Sequence, residues 1–200
     1  MLGRMFGKPA QARSDWSAMA TIIRTEQRLQ ERGEISPSRR AGIIFRHDES
    51  NKFLQDLQQE LNPVLHSGPG ATKTAFDVED DQHGMRWVVM EDGRFTDLVS
   101  SVYTVGNAIG ANGGQSNLLA AVFELYFTGA VDDETFRSGV RTYWIFRYDR
   151  KAFYPFVPTG DEPGERDRPT EVALAGRARR QGLTVERSME EWMGLWGIPF

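Results

Sequence analysis

The chain has 200 residues, a hydrophobic fraction of 40% and a charged fraction of 26%, which predict one ordinary globular domain that buries roughly 70% of its unfolded surface. Its formal net charge of -4 argues against nucleic acid as a partner, because phosphate binding needs a clustered basic face. With 0 cysteines, the chain has no disulfide framework, thiol nucleophile or cysteine-based zinc site, and it fits a reducing compartment.

The first residues, MLGRMFGKP, are too short for a signal peptide, and no apolar run approaches the roughly 18 to 20 residues that span a bilayer. We therefore expect residues 1–12 to be a flexible leader and the protein to be cytoplasmic. Leu2, Met5 and Phe6 stand beside basic residues, so the leader could instead make peripheral contact with the inner face of the membrane.

Residues 13–158 are predicted to form a single α+β domain that opens with a helix, a short strand and a second helix. The first helix covers residues 14–34, with Ser14 or Asp15 as its cap and Gly33 as its end. The strand covers residues 39–47, and the second helix covers residues 48–65. Pro63 should stop or bend that second helix, because proline has no N–H to donate.

The rest of the domain is predicted as a hairpin, a third helix and two strong strands. The hairpin covers residues 72–93, and the third helix, residues 94–114, is capped by Thr96 or Asp97. The strong strands cover residues 117–129 and 140–157. Because the strands come in consecutive pairs, we expect an α+β fold with a largely antiparallel sheet and helices mainly on one face.

The stretch FYPF carries three rings beside a proline that cannot donate to a strand ladder, so the strand must end or reach a sheet edge at Pro155. After a charged linker, residues 159–169, the remaining residues 170–200 are predicted as a helical segment that packs back on the domain. The rings either pack under the closing tryptophans or face a partner. The candidate residues are Phe153, Tyr154, Phe156, Trp192, Trp196 and Phe200.

Catalytic, cofactor and metal motifs are weak in this chain, and none is predicted. GNAIGANGG closes a helix, whereas a phosphate loop opens one. His47 and His83 stand beside carboxylates but lack metal-ligand spacing, and turn chemistry explains the acidic residues around His83 better. No nucleophile–base–orienter set can be assigned.

The run FYPFVP, the charged linker and a closing tryptophan signature resemble the PspA-associated proteins called PspAB. The signature consists of Trp192, Trp196, Gly197 and Pro199. The resemblance implies a small cytoplasmic accessory factor of a phage-shock envelope-stress response, with a PspA-like coiled coil or an HtpX-type membrane protease as partner. The order of helices and hairpins is also similar to the secretion-chaperone-like fold of YbjN-type proteins.

These features leave three functions open. The first is a non-enzymatic adaptor that acts by protein–protein interaction, and the second is a chaperone-like module that binds a peptide or helix in an aromatic groove. The third is an uncharacterised enzyme, which would need a pocket that gathers His47 or His83 with carboxylates. The sequence leaves the oligomeric state open.

Overall fold

The computed structural model describes residues 10–68, 70–128 and 139–200. The strands are β1 (Ile35–Arg46), β2 (Ala75–Asp80), β3 (Met85–Glu91), β4 (Leu118–Phe127), β5 (Val140–Arg147) and β6 (Ala152–Phe156). The helices are α1 (Ala10–Met19), α2 (Thr21–Glu31), α3 (Lys52–Gln55), α4 (Leu57–His66), α5 (Phe95–Ile109) and α6 (Arg168–Gln181). A π-helical turn follows α5, and a short 3₁₀ turn covers Met189–Glu191.

The six strands form one sheet in the order β2-β3-β1-β4-β5-β6. Every neighbouring pair in the sheet is antiparallel. This arrangement confirms the predicted α+β class and the largely antiparallel sheet. The chaperone-like layout stays a prediction.

The two faces of the sheet are covered differently. Helix α5 lies across β1, β3 and β4, while α2 packs on β1 and α6 packs on α2 and β6. These helices cover inward-pointing residues such as Phe123, whose ring contacts that of Phe95 at 6.0 Å. The opposite face is covered by residues 192–200, here called the strap, which has no regular secondary structure.

The predicted strand over residues 140–157 is wrong in one respect: the chain turns back within it. Strands β5 and β6 pair as a hairpin, and the turn between them ends at Lys151, whose φ is 52°. Asp149 is the one common turn residue in it, and glycine, proline and asparagine are lacking. The expected edge at Pro155 is confirmed, since β6 is the outermost strand on its side of the sheet.

Three helix boundaries also differ from those predicted. Helix α1 begins at Ala10 and ends at Met19, so neither Ser14 nor Asp15 stands at a helix N-terminus. The predicted single helix is two helices, separated at Ala20. The predicted end at Gly33, with φ of 68°, is confirmed.

The second predicted helix is also divided, and its proline does not end it. Asp56 separates α3 from α4, and α4 continues through Pro63 to His66. Helix α5 has Arg94 as its cap residue, not Thr96 or Asp97. The leader residues Leu2, Met5 and Phe6 lie outside the described residues.

Candidate functional site

The strap face gathers five of the six predicted aromatic residues. Alternation along β6 puts Tyr154 and Phe156 on the strap face and Phe153 on the opposite face. Phe153 packs against Phe146 and Phe123 under the helices, with ring centroids 5.0 and 6.1 Å apart. Phe153 is therefore a core residue of the helix side and does not contribute to the strap face.

The strap is anchored by its two tryptophans on β6. Trp192 stacks on Tyr154 with ring centroids 6.5 Å apart and an interplanar angle of 14°. Trp196 meets Phe156 edge-on at 5.4 Å. Trp192 is 2% exposed, whereas Trp196 is only half-buried. The rings of Tyr154 and Phe156 are therefore covered by the chain's own strap.

The far end of the strap is anchored by Phe200. Its ring meets Trp87 and Tyr143 at 6.1 and 6.2 Å. The Tyr143 hydroxyl donates a hydrogen bond to the Phe200 carbonyl oxygen at 2.7 Å, and burial raises the pKa of that hydroxyl. Gly42 makes room for the ring, because a Cβ there would lie 2.7 Å from Phe200 Cε1.

A buried ion pair ties the strap to α6. Glu171 is fully buried, and its carboxylate accepts hydrogen bonds from Arg166 Nε at 2.9 Å and from Arg166 Nη2 at 2.8 Å. The backbone N–H of Val157 donates to the same carboxylate at 2.9 Å. Arg166 also donates to the Trp192 carbonyl at 3.1 Å. This cluster joins β6, α6 and the strap. The only local sign of it is a basic residue five positions before an acidic one.

A cavity of about 450 Å³ lies between the sheet and the middle of the strap. Its floor is formed by apolar side chains of β1, β4 and β5, and its roof by residues 193–195. The floor residues are Ile44, Leu118, Ala120 and Ile145. The cavity exists because Ala120 is small and nothing in the strap fills the space above it.

The polar end of the cavity contains two arginines in different environments. Arg147 donates to both carboxylate oxygens of Asp149, at 3.0 and 2.6 Å, and to Glu191 Oε2 at 2.8 Å. These bonds raise the pKa of Arg147 and lower that of Asp149. Arg46, at the mouth of the cavity, is exposed, and its guanidinium makes no hydrogen bond or ion pair with a described residue.

A second buried carboxylate lies on the same sheet face at the other end of β4. Glu124 is 1% exposed and pairs with Arg141 Nε at 3.1 Å. It also accepts a short hydrogen bond from the Ser38 hydroxyl. The register break in β1 between Pro37 and Ala41 lies next to this contact. Arg141 and Ser38 therefore compensate the buried charge of Glu124. The sequence analysis did not predict this contact.

The two histidines considered as candidates are both exposed, and His83 lines a second pocket, of about 260 Å³, together with Asp80, Asp81 and the strap residues Gly197 and Pro199. His47 is exposed after β1, and His83 is exposed in the β2–β3 turn, where its backbone N–H donates to Asp81 Oδ1 at 2.8 Å. Among the described residues, no three histidine or acidic side chains are grouped so that they could hold a metal ion. No helix within those residues is long and apolar enough to cross a membrane.

Comparison with known proteins gives a family for the chain. No curated protein and no solved structure shows a significant match to it. A family model described as PspAB, PspA associated protein B, matches residues 1–200. The match extends over every element described above, including the strap and its tryptophans. The chain therefore belongs to the PspA associated protein B family.

Proposed function

We propose that the protein is a non-enzymatic accessory factor of a phage-shock-type envelope-stress response and that it binds a PspA-type coiled coil. Membership of the PspA associated protein B family carries the proposal. A cytoplasmic location forms part of it, as the sequence resemblance implied. A second proposed partner is an HtpX-type membrane protease, and only the sequence resemblance supports it.

The surface around the first anchor of the strap supports protein binding. The exposed large hydrophobic residues of the described chain are Val172, Met189 and Met193, at 43%, 44% and 61% exposure. Met189 and Met193 flank the buried Trp192. Val172 follows Arg168 by one helical turn, and the Arg168 guanidinium lies 3.4 Å from the Trp192 carbonyl. We call these three residues the methionine surface.

Methionine suits a surface that receives a helix. Its unbranched, polarizable side chain adapts to irregular partners, so exposed methionines recur at binding surfaces. An amphipathic helix lays its apolar face on such a surface. The methionine surface is small, so we expect it to be the centre of a larger contact whose rim is polar.

Binding of the purified PspA-type protein from the same genome, measured by calorimetry, tests the proposal. Met193→Glu should weaken binding at least about tenfold, because a charge would be buried at the centre of the contact. Gln27→Glu is the matched control, since it adds the same charge to an exposed position of α2. It should leave the affinity unchanged. Absence of binding, or equal loss in both variants, would contradict the proposal.

The strap itself favours a second function, that of a peptide-binding module. An extended segment with three aromatic anchors lies on a sheet face, as a bound peptide does. In this version a partner's segment takes the place of the strap. A variant lacking residues 193–200 should then bind the partner more tightly than the full chain, whereas the first function predicts weaker binding because Met193 is lost.

A further inference from the structure

The cavity under the strap is large, and it is partly open to solvent. A buried water occupies about 10 to 15 Å³ by the same measure, whereas this cavity has about 450 Å³. Small-molecule sites fall in the range of about 300 to 1,000 Å³. The space is therefore sufficient for a small organic ligand.

The walls of the cavity are chemically divided. Ile44 and Ala120 face each other across β1 and β4, and the adjacent Ile145 completes an apolar floor. Leu195 of the strap lines the opposite side of the cavity. Such a surface excludes water and favours a saturated hydrocarbon body, because it offers that body no polar partner.

The charge at the cavity is uneven. The positive charge of Arg147 is balanced by Asp149 and Glu191, which it contacts directly. Arg46, at the mouth, has no acidic partner among the described residues. The mouth therefore has one uncompensated positive charge. A guanidinium binds a carboxylate with two parallel hydrogen bonds, so it is complementary to that anion.

From this arrangement we infer that the cavity is a binding site for a small medium-chain alkyl carboxylate. The alkyl chain lies over Ala120 and beneath Leu195, and the carboxylate meets Arg46 at the mouth. Met193 belongs both to the roof of this cavity and to the methionine surface, so the two sites adjoin, but the inference does not rest on the proposed function. The variants that test it, at Arg46 and Ala120, leave the methionine surface unchanged.

An NMR titration of the full chain with octanoate tests the inference. Backbone amides of Ile44, Ala120 and Leu195 should shift together. Hexanoate should bind about tenfold more weakly, since two fewer methylene groups are buried. Octylammonium has the same alkyl chain and the opposite charge, and it should bind at least about tenfold more weakly than octanoate.

Two variants locate the ligand. Ala120→Leu adds three carbon atoms to the cavity floor, where the alkyl chain is placed, and should weaken octanoate binding about tenfold or more. Arg46→Gln changes only an exposed side chain, so the fold is kept, and it should weaken octanoate binding about tenfold or more. Octylammonium should bind no more weakly to this variant than to the wild type, because the change removes a repulsive positive charge. Arg40→Gln, at an exposed position of the same strand, is the control and should bind as the wild type does.

The inference is overturned if millimolar octanoate shifts none of these amides. It is also overturned if octylammonium binds as well as octanoate, or if Arg46→Gln and Arg40→Gln have equal affinity for octanoate. Loss of PspA binding without loss of octanoate binding would contradict the proposed function alone.

Discussion

At the scale of single residues, several side chains are held in places that no sequence pattern indicates. Tyr148 is one, since its hydroxyl is buried and has no hydrogen-bond partner among the described residues. That hydroxyl lies against Gly106 of α5, where a Cβ would be only 2.5 Å from the oxygen. Position 106 therefore has room only for glycine, because Tyr148, 42 positions later in the chain, packs against it.

Substitution of Gly106 tests this contact. Gly106→Ala should lower the free energy of unfolding by about 1 to 3 kcal/mol, as overpacking does. Tyr148→Phe removes the closest atom and an unpaired hydroxyl, so it should be neutral or stabilising and should rescue part of the Gly106→Ala loss. Urea denaturation of the two single variants and the double variant measures both effects. Additive losses would show that the two residues are not coupled.

Glu26 gives a prediction for pH. It is 5% exposed in α2, and burial raises its pKa above the ordinary value of 4.5. The stability that it contributes is present below about pH 4.5 and is lost as the pH rises through the raised pKa. Glu26→Gln should therefore raise the free energy of unfolding at pH 7 and leave it unchanged near pH 3.

Thermal denaturation across that pH range measures the effect of Glu26. Glu31→Gln, at an exposed position of the same helix, is the control and should stay within about 0.5 kcal/mol of the wild type at pH 7. A stability gain for Glu26→Gln that persists at pH 3 would show that charge is not its cause.

At the scale of elements, the sequence predicts most of the sheet but not how its ends are held. The predictions of the β2–β3 hairpin and of strand β4 are confirmed. These elements were predictable because their apolar patterns are long and flanked by turn residues. The β5–β6 turn escaped prediction because Lys151 takes a left-handed backbone conformation that usually signals glycine. The Arg166–Glu171 pair was missed because nothing local indicates that both charges are buried.

This buried pair should be a major support of the strap. Glu171→Gln leaves the Arg166 charge without its counter-ion in a buried place, which costs about 3 to 5 kcal/mol. Arg94 and Asp97 form the matched exposed pair, with side-chain exposures of 79% and 24%. Asp97→Asn should cost less than about 1 kcal/mol. Equal losses of stability in chemical denaturation would contradict the view that the buried Arg166–Glu171 pair supports the strap.

The two tryptophans of the strap should differ in importance. Trp192 is fully covered and its indole N–H donates to the Glu186 carbonyl at 3.2 Å, so Trp192→Ala should cost about 3 to 5 kcal/mol. Trp196 is half-buried, so Trp196→Ala should cost about half of that. Denaturation curves of both variants test the order. A larger loss for Trp196 would mean that the middle of the strap is its main anchor and that Trp192 is not.

At the scale of the whole molecule, the described residues form one sheet with a helical layer on one side and a strap on the other. The sequence identifies Tyr154 and Phe156 as candidates. It does not predict whether they are exposed, because that depends on where residues 192–200 lie. The strap covers these rings and leaves exposed methionines beside its first anchor. We therefore propose that a partner binds the methionine surface and not the aromatic run.

Hydrogen–deuterium exchange of the complex with the PspA-type protein tests this assignment most directly. The account predicts that binding slows exchange in residues 168–175 and 188–195, which carry the methionine surface, and leaves α2 and α5 unchanged. Protection confined to the helical layer, or no protection at a concentration where the complex is formed, would contradict it.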